Sequence, residues 1–339
     1  MTHPSAPVDP AFALRVLTGD RPTGQLHIGH LLGTLENRVR LQEDGLDVFV
    51  LIADYQTITD RDSPASLAAD VEELVADYLA VGIDPGRSTI FAHSLLPELN
   101  QLMLPFLSLV TLPELLRNPT VKDEAATAGM ETLNGLMLTY PVHQAADILF
   151  CRGTLVPVGA DQLPHIEQTR VIARRFNRRY APDRPVFPEP EPLLSGAPML
   201  LGTDGHKMSK SRGNSIAIAA SADQTARLLR SARTDSDPHI TYDPVNRPEV
   251  SNLVLLAALC EGVAPLLVAE QIGGGGAVAL KRRVTEAVNE RLRPIRERRV
   301  ELAGDRAYLR SVVREGSNRA RAIAQQTLAD VAHAMHCGY

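Results

Sequence analysis

The sequence predicts an α/β protein built on a doubly wound parallel sheet, with a helical insertion and an all-helical C-terminal part. Three observations carry that expectation. The first 92 residues alternate short β-prone runs with helix-length amphipathic stretches, the strand–helix–strand–helix–strand order of a parallel sheet. Residues 93–180 turn mostly helical around a single β-prone piece. From residue 223 onward the pattern is almost wholly helical.

The first strand is expected over residues 13–18 (ALRVLT), stopped by the turn-rich Gly19-Asp20-Arg21-Pro22-Thr23-Gly24. A helix follows over 29–42, with Gly45 suited to cap it. Residues 47–54 (DVFVLIAD) form a buried-strand run, 66–81 an amphipathic helix and 89–92 a short strand. Within the helical insertion, 154–158 is β-prone. The proline-dense 182–198 reads as an extended connection, and 197–201 as a return to the sheet before a glycine-rich loop. In the C-terminal part, a proline-containing loop spans 235–248, and Gly273–Gly276 reads as a flexible linker. The expected organisation is a tail over 1–12, a catalytic unit over 13–215 with its insertion at about 93–180, and a helical unit over 216–339.

Composition narrows the class. The 339 residues are 44% hydrophobic and 22% charged, the balance of an ordinary globular chain, which excludes disorder, collagen-like repeats and a coiled-coil rod. No apolar run reaches the roughly 20 residues that cross a bilayer. The N-terminal MTHPSAPVDP lacks both a basic start and an apolar core, so no membrane association and a cytoplasmic location are expected. Cys151, Cys260 and Cys337 are far apart and form no metal-ligand spacing, so no protein-held metal is expected.

The net charge of −5 conceals an asymmetry. Residues 281–321 hold 13 Lys and Arg against 6 Asp and Glu, and Arg170, Arg174, Arg175, Arg178 and Arg179 make a second basic knot. Such a distribution suits a surface that meets a polyanion, or a solvated arginine-rich helix face; composition leaves both open.

Two motifs carry chemistry. His27-Ile28-Gly29-His30 stands between the first strand's loop and the first helix, and Lys207-Met208-Ser209-Lys210-Ser211 stands in a loop between Gly205 and Gly213. A helix start beyond a strand's carboxyl end offers free N–H groups to phosphate. Gly29 lets an adenine ring approach the backbone. His27 and His30 can donate to an α-phosphate, Lys207 and Lys210 can neutralise a departing pyrophosphate, and Thr23 and Ser209 add neutral donors.

In this pairing and order the sequence resembles the class I aminoacyl-tRNA synthetases, with their HIGH and KMSKS motifs on a Rossmann-like sheet. LTYPVHQAADIL (138–149), VPVGADQLPHIEQTRVIARRFN (156–177), EVSNLVL (249–255) and LRPIRER (292–298) further resemble the bacterial tryptophanyl-tRNA synthetases, over most of residues 14–332. That resemblance implies a homodimer that uses ATP, Mg²⁺, L-tryptophan and tRNA(Trp), with the helical unit reading the anticodon. It also implies an ATP site from Arg21, Pro22, Thr23, Gly29 and His30. Gly159, Ala160 and Asp161 would stand at the ribose, Met199 at adenine, and Lys207, Met208, Ser209, Lys210 and Ser211 at the phosphates. The basic 281–321 segment, with Arg291, Arg293 and Arg296, would then meet tRNA phosphates.

For the amino acid, the resemblance implies Asp147 as the acceptor of the indole N–H, Tyr140 at the amino end and Gln162 in the same pocket. Gln144 stands where methionine is usual, Arg21 where glutamine is usual and Gln56 where histidine is usual, as in the divergent, second-copy type. The Tyr140…Gln144…Asp147 spacing also resembles archaeal and eukaryotic tyrosyl-tRNA synthetases, and an aspartate accepts from a phenol as readily as from an indole. VGADQ, HIEQTR and LRPIRER are tryptophanyl in character. The rival classes are a dinucleotide-forming nucleotidyltransferase, which the long helical C-terminal part speaks against, and a non-catalytic tryptophan-binding regulator, which the intact motifs speak against.

Overall fold

The computed structural model describes residues 11–59, 66–122, 134–194, 200–209 and 212–337. Five parallel strands form one sheet: β1 (Arg15–Asp20), β2 (Asp47–Ile52), β3 (Ser88–Ala92), β4 (Leu155–Val158) and β5 (Glu191–Leu194). Their order is β3-β2-β1-β4-β5, so the winding reverses between β1 and β4. An open α/β sheet binds its ligand in the crevice at that reversal.

β1 and β2 pair in register from Arg15↔Asp47 to Asp20↔Ile52, two residues further than the β-prone run suggested. The fifth strand is the main correction. It comes from Glu191–Leu194, inside the proline-dense stretch expected to be a connection. It lies at the sheet edge, where Pro192 needs no N–H for an outer neighbour. Residues 197–199 lie outside the described residues, and Leu201 forms an isolated antiparallel bridge with Lys207.

The first helix, α1, starts at Ile28–His30, passes through a π-turn at Leu31–Leu35 and continues over Glu36–Glu43. Gly45 then adopts φ +81°, as its capping place requires. Helix α2 (Leu67–Val81) ends at Gly82 in the left-handed region, φ +119°. The insertion supplies α3 (Pro97–Leu107), α4 (Leu112–Arg117), α5 (Gly135–Leu149) and α6 (Leu163–Tyr180). Phe106, Phe150, Phe176 and Phe187 are buried where these helices meet the sheet.

The remaining helices are α7 (Ala222–Arg230), α8 (Pro248–Glu261), α9 (Pro265–Ile272), α10 (Gly276–Ala303) and α11 (Arg306–Ala334). They share one apolar core with the sheet, running from Val16 and Val50 through Val254 to Val284 and Ile295. Helix α10 lies on α2 and α8, and α11 lies on β3. Where α11 crosses β3, a Cβ on Gly316 would meet the Ile90 carbonyl oxygen at 1.9 Å, an approach only glycine allows. The expected linker at Gly273–Gly276 is a 3₁₀ turn over Gly273–Gly275, with Gly273 accepting the Ile240 N–H at 2.8 Å. The loop after α7 is tied by Arg247, which bonds both oxygens of Asp235 at 2.7 Å.

Most of the basic segment's charges are used internally. Arg291 pairs with Glu36, Arg293 with Glu290 and Glu297, and Arg296 bonds Asn289 and Thr225. Arg282, Arg298 and Arg314 stay exposed and make no ion pair among the described residues. In the second basic knot, Arg170, Arg174 and Arg175 pair with Glu191, Glu189 and Glu114, while Arg178 and Arg179 are exposed.

Candidate active site

The two motifs meet in space. A Cβ on Gly29 would lie 3.0 Å from the His27 ring and 3.4 Å from the Met208 sulfur. Residues 216–218 run beside the HIGH loop: Ile28 N–H bonds Ile216 O at 2.9 Å and Ile218 N–H bonds Leu26 O at 2.9 Å. The His27 and His30 rings stand 3.8 Å apart. His30 Nδ1 accepts the His27 N–H at 3.2 Å, so in the neutral ring the proton sits on Nε2, which makes that nitrogen the donor.

The KMSKS loop is shaped by Asn214, a buried residue with no part in either motif. Its Oδ1 accepts the Ser209 N–H at 2.8 Å, and its Nδ2 donates to Asp204 at 2.7 Å and to Lys207 O at 3.2 Å. Lys207 is exposed and Met208 buried. Met199, Lys210 and Ser211 lie outside the described residues.

Beyond the carboxyl ends of β1 and β4 is a cavity of about 300 Å³. Tyr140, Gln144 and Asp147 line it from α5 at helical spacing, and Gln162, Gly159, Arg21 and Gln56 line it from other elements. Tyrosine, glutamine and aspartate thus share a face as the spacing implied. All three positions that depart from the bacterial pattern, Arg21, Gln56 and Gln144, face this one cavity. Pro22 is buried in the loop ahead of α1, Thr23 N–H bonds Arg21 O at 2.8 Å, and Ala160 opens a 3₁₀ turn. Asp161 lies beside Gly159, where a Cβ would come within 2.5 Å of Oδ1. Neither Lys207, Met208 and Ser209 nor His27, Gly29 and His30 line the cavity; the two motifs meet each other outside it, where Met208 lies over Gly29.

Of the lining residues, Asp147 is 1% exposed. Its Oδ1 is 2.9 Å from His93 Nε2, and its Oδ2 has no partner among the described residues. His143 packs against His93 with ring centres 4.6 Å apart. Burial holds the His143 pKa below the ordinary imidazole value, against the pull of Asp147. His93, His143 and Asp147 present ligand atoms within 4.8 Å of one another, the one group among the described residues with metal-ligand proximity. Tyr140 Oη lies 3.1 Å from His165 Nε2, and burial pushes His165 down to about 4.

Several supporting residues carry no motif that would mark them in sequence. Asp20 Oδ2 accepts from Arg38 Nη1 at 2.5 Å and from Tyr78 Oη at 2.7 Å, directly before the Arg21 loop. Burial alone would raise the Asp20 carboxyl, but Arg38 holds it down at about 2. Asp77, fully buried on α2, accepts the Leu26 N–H at 3.0 Å and Arg299 Nε at 2.6 Å. A charged residue inside an apolar helix face, as at Asp77, was the available signal.

An open parallel sheet with HIGH at its first helix, KMSKS packed against it and a pocket at the sheet reversal is the arrangement that the family comparison matches. Residues 11–293 match the model of the family "tRNA synthetases class I (W and Y)", and the chain belongs to that family. Proteins named tryptophan–tRNA ligase from Lactococcus lactis and Streptococcus pneumoniae are each 44% identical to it, across 96% of this chain and 98% of theirs. Among solved structures, Campylobacter jejuni tryptophanyl-tRNA synthetase complexed with ADP and tryptophan superposes with a TM-score of 0.82 at 29% identity. The match covers 95% of this chain and 100% of that one. Archaeoglobus fulgidus tyrosyl-tRNA synthetase, at TM-score 0.67 and 22% identity over 85% and 90%, shares the fold.

Proposed function

We propose that this chain activates L-tryptophan with ATP and transfers the tryptophanyl group to tRNA(Trp). The observation that carries this reading is Asp147: a buried carboxylate with one oxygen unpartnered among the described residues, lining the same cavity as Tyr140, Gln144 and the Arg21 loop. The near-full-length identity with tryptophan–tRNA ligases supports it and disfavours the tyrosyl and regulatory alternatives.

In the first step a carboxylate oxygen of tryptophan attacks the α-phosphorus of ATP, and the bond to pyrophosphate breaks. His27 and His30, at the start of α1, donate to the α-phosphate oxygens as charge builds, and Lys207 with Lys210 takes the charge of the leaving pyrophosphate. In the second step a terminal ribose hydroxyl of the tRNA attacks the activated carbonyl, and AMP leaves. No protein nucleophile takes part; the chain contributes positioning and electrostatics.

Among the described residues, the carboxylates nearest the first-strand loop and Gly159 are already hydrogen-bonded. Asp20 accepts from Arg38 and Tyr78, and Asp161 Oδ2 accepts from Gln162 Nε2 at 3.3 Å. Mg²⁺ therefore arrives on ATP oxygens in this reading. Residues 216–339 act as the tRNA-reading part, and the setting is the cytoplasm. A homodimer accounts for the exposed Leu104, Leu112 and Leu116 on α3 and α4. No single helix among the described residues is long and apolar enough to cross a membrane.

ATP–pyrophosphate exchange across the amino acids tests the first step and charging of tRNA(Trp) the second. Exchange is expected with tryptophan; exchange driven by tyrosine in its place sinks the reading.

A further inference from the structure

The nucleotide motifs leave one group of buried ionisable side chains unexplained, behind the amino-acid pocket. His93 and Asp147 are 54 residues apart in sequence and bonded at 2.9 Å, with side chains 0% and 1% exposed. An ionised carboxylate only accepts, so the proton of this bond is on His93 Nε2. Asp147 Oδ1 is thereby occupied, and Oδ2 is the oxygen left without a partner among the described residues. Asp147 lines the cavity, whereas His93 does not.

The histidine is held from three sides. It opens a short 3₁₀ turn, His93–Leu95, at the end of β3. Asp54 accepts the next residue's N–H and hydroxyl, from Ser94, at 3.1 and 2.5 Å. From α11, Ser317 Oγ accepts the Ala92 N–H at 3.3 Å, and Arg321 donates to Leu95 O. The His143 and Tyr55 rings flank it, with centres 4.6 and 6.2 Å away, and its Nδ1 has no partner among the described residues; burial favours neutral His143, which therefore does not compete as a cation for the carboxylate.

We propose that His93 is a positioning residue for amino-acid recognition. Its Nε2–H fixes the rotation of the Asp147 carboxylate and leaves Oδ2 as the acceptor for the tryptophan ring N–H. A carboxylate free to rotate inside the pocket would spread its acceptor over several directions, and the bond to the ring would lose its preorganisation. The proposal rests on the reading of Asp147 as the ring acceptor, and the test separates the two.

Exchange kinetics are measured for tryptophan and for the benzothienyl analogue of alanine, in which sulfur replaces the ring N–H. His93→Leu removes the donor, His93→Gln supplies an amide N–H in its place, and Asp147→Ala removes the acceptor. In His93→Leu the KM for tryptophan is expected to rise about tenfold, with kcat changed less than threefold and the analogue's KM within about twofold. His93→Gln is expected to recover most of the tryptophan KM. The analogue serves as an internal control for folding, since both ligands meet the same protein.

An equal rise for both ligands, or no rescue by glutamine, reduces His93 to a packing residue. Should Asp147→Ala discriminate strongly between the ligands while His93→Leu does not, the positioning role is wrong and the Asp147 reading stands. Should neither discriminate, both fall. Tryptophan affinity measured calorimetrically without ATP is expected to be unchanged by EDTA; a shift would mean that His93, His143 and Asp147 hold a metal ion instead.

Discussion

Arg299 and Asp77 join the C-terminal helices to the loop that carries the HIGH motif. Arg299 Nε on α10 lies 2.6 Å from Asp77 Oδ1, and Asp77 Oδ2 accepts the N–H of Leu26, the residue before the HIGH motif. Glu73 takes the other arm of the same guanidinium. The Asp77 carboxylate is fully buried and Arg299 nearly so. Removing one partner of such a pair leaves a buried charge uncompensated, at a cost of about 3 kcal/mol or more. Arg299→Met should lower denaturation stability by that order and reduce kcat for exchange, because Leu26 sets where His27 stands. An unchanged kcat in a folded variant would confine the pair to stability.

The histidines of the first motif should act on the rate and not on amino-acid binding. His27→Ala and His30→Ala are each expected to cost about 3 kcal/mol in kcat, roughly a hundredfold, with tryptophan affinity nearly unchanged. Because the protein contains no tryptophan, ligand fluorescence reports that affinity directly. Equal losses in kcat and in affinity would point to collapse of the loop.

Asp20 supplies a pH signature. Its folded pKa, about 2, lies below the ordinary 3.8, so the stability it contributes is complete above pH 3.8 and disappears as pH falls toward 2. The shift corresponds to about 2 kcal/mol. Urea melts of wild type and Asp20→Asn should differ by at least that much at pH 7, since Arg38 loses its partner as well. The gap should narrow between pH 4 and pH 2. A constant gap over that range would mean that the Asp20 charge does not matter.

Asp147 itself is open to an energetic cycle. Asp147→Ala should cost roughly 2–3 kcal/mol in kcat/KM for tryptophan, and far less for an analogue without the ring N–H. Gln144→Met should keep tryptophan activation and change the tolerance of ring-substituted analogues. A coupling energy near zero between Asp147 and the ring N–H would remove the indole from this end of the cavity.

A contact of the basic segment with tRNA is best tested at the exposed arginines that make no ion pair among the described residues. Charge reversal of Arg282, Arg298 and Arg314 should weaken tRNA binding and lower the salt slope by somewhat under one unit for each phosphate no longer neutralised. Reversal of Arg291 or Arg296 should instead disturb folding, through Glu36 and Thr225. Should all five reversals leave tRNA affinity alone, the polyanion reading of this segment fails.

Short-range pattern was enough for the parallel sheet and the face shared by Tyr140, Gln144 and Asp147, because strand alternation, helix spacing and turn chemistry are local. The extra strand at Glu191–Leu194 was hidden by its prolines, which only an edge position tolerates. The meeting of Gly29 with Met208, the committed arginines of the basic segment, the Arg38–Asp20 pair and the His93 partner of Asp147 were decided by tertiary structure alone. The three hydrogen-bonded pairs Arg38–Asp20, His93–Asp147 and Arg291–Glu36 join residues 18, 54 and 255 positions apart, a pairing that no local periodicity encodes. A charge looks free in sequence until packing brings its counter-ion to it, and a carboxylate looks like an acceptor on both oxygens until the fold occupies one.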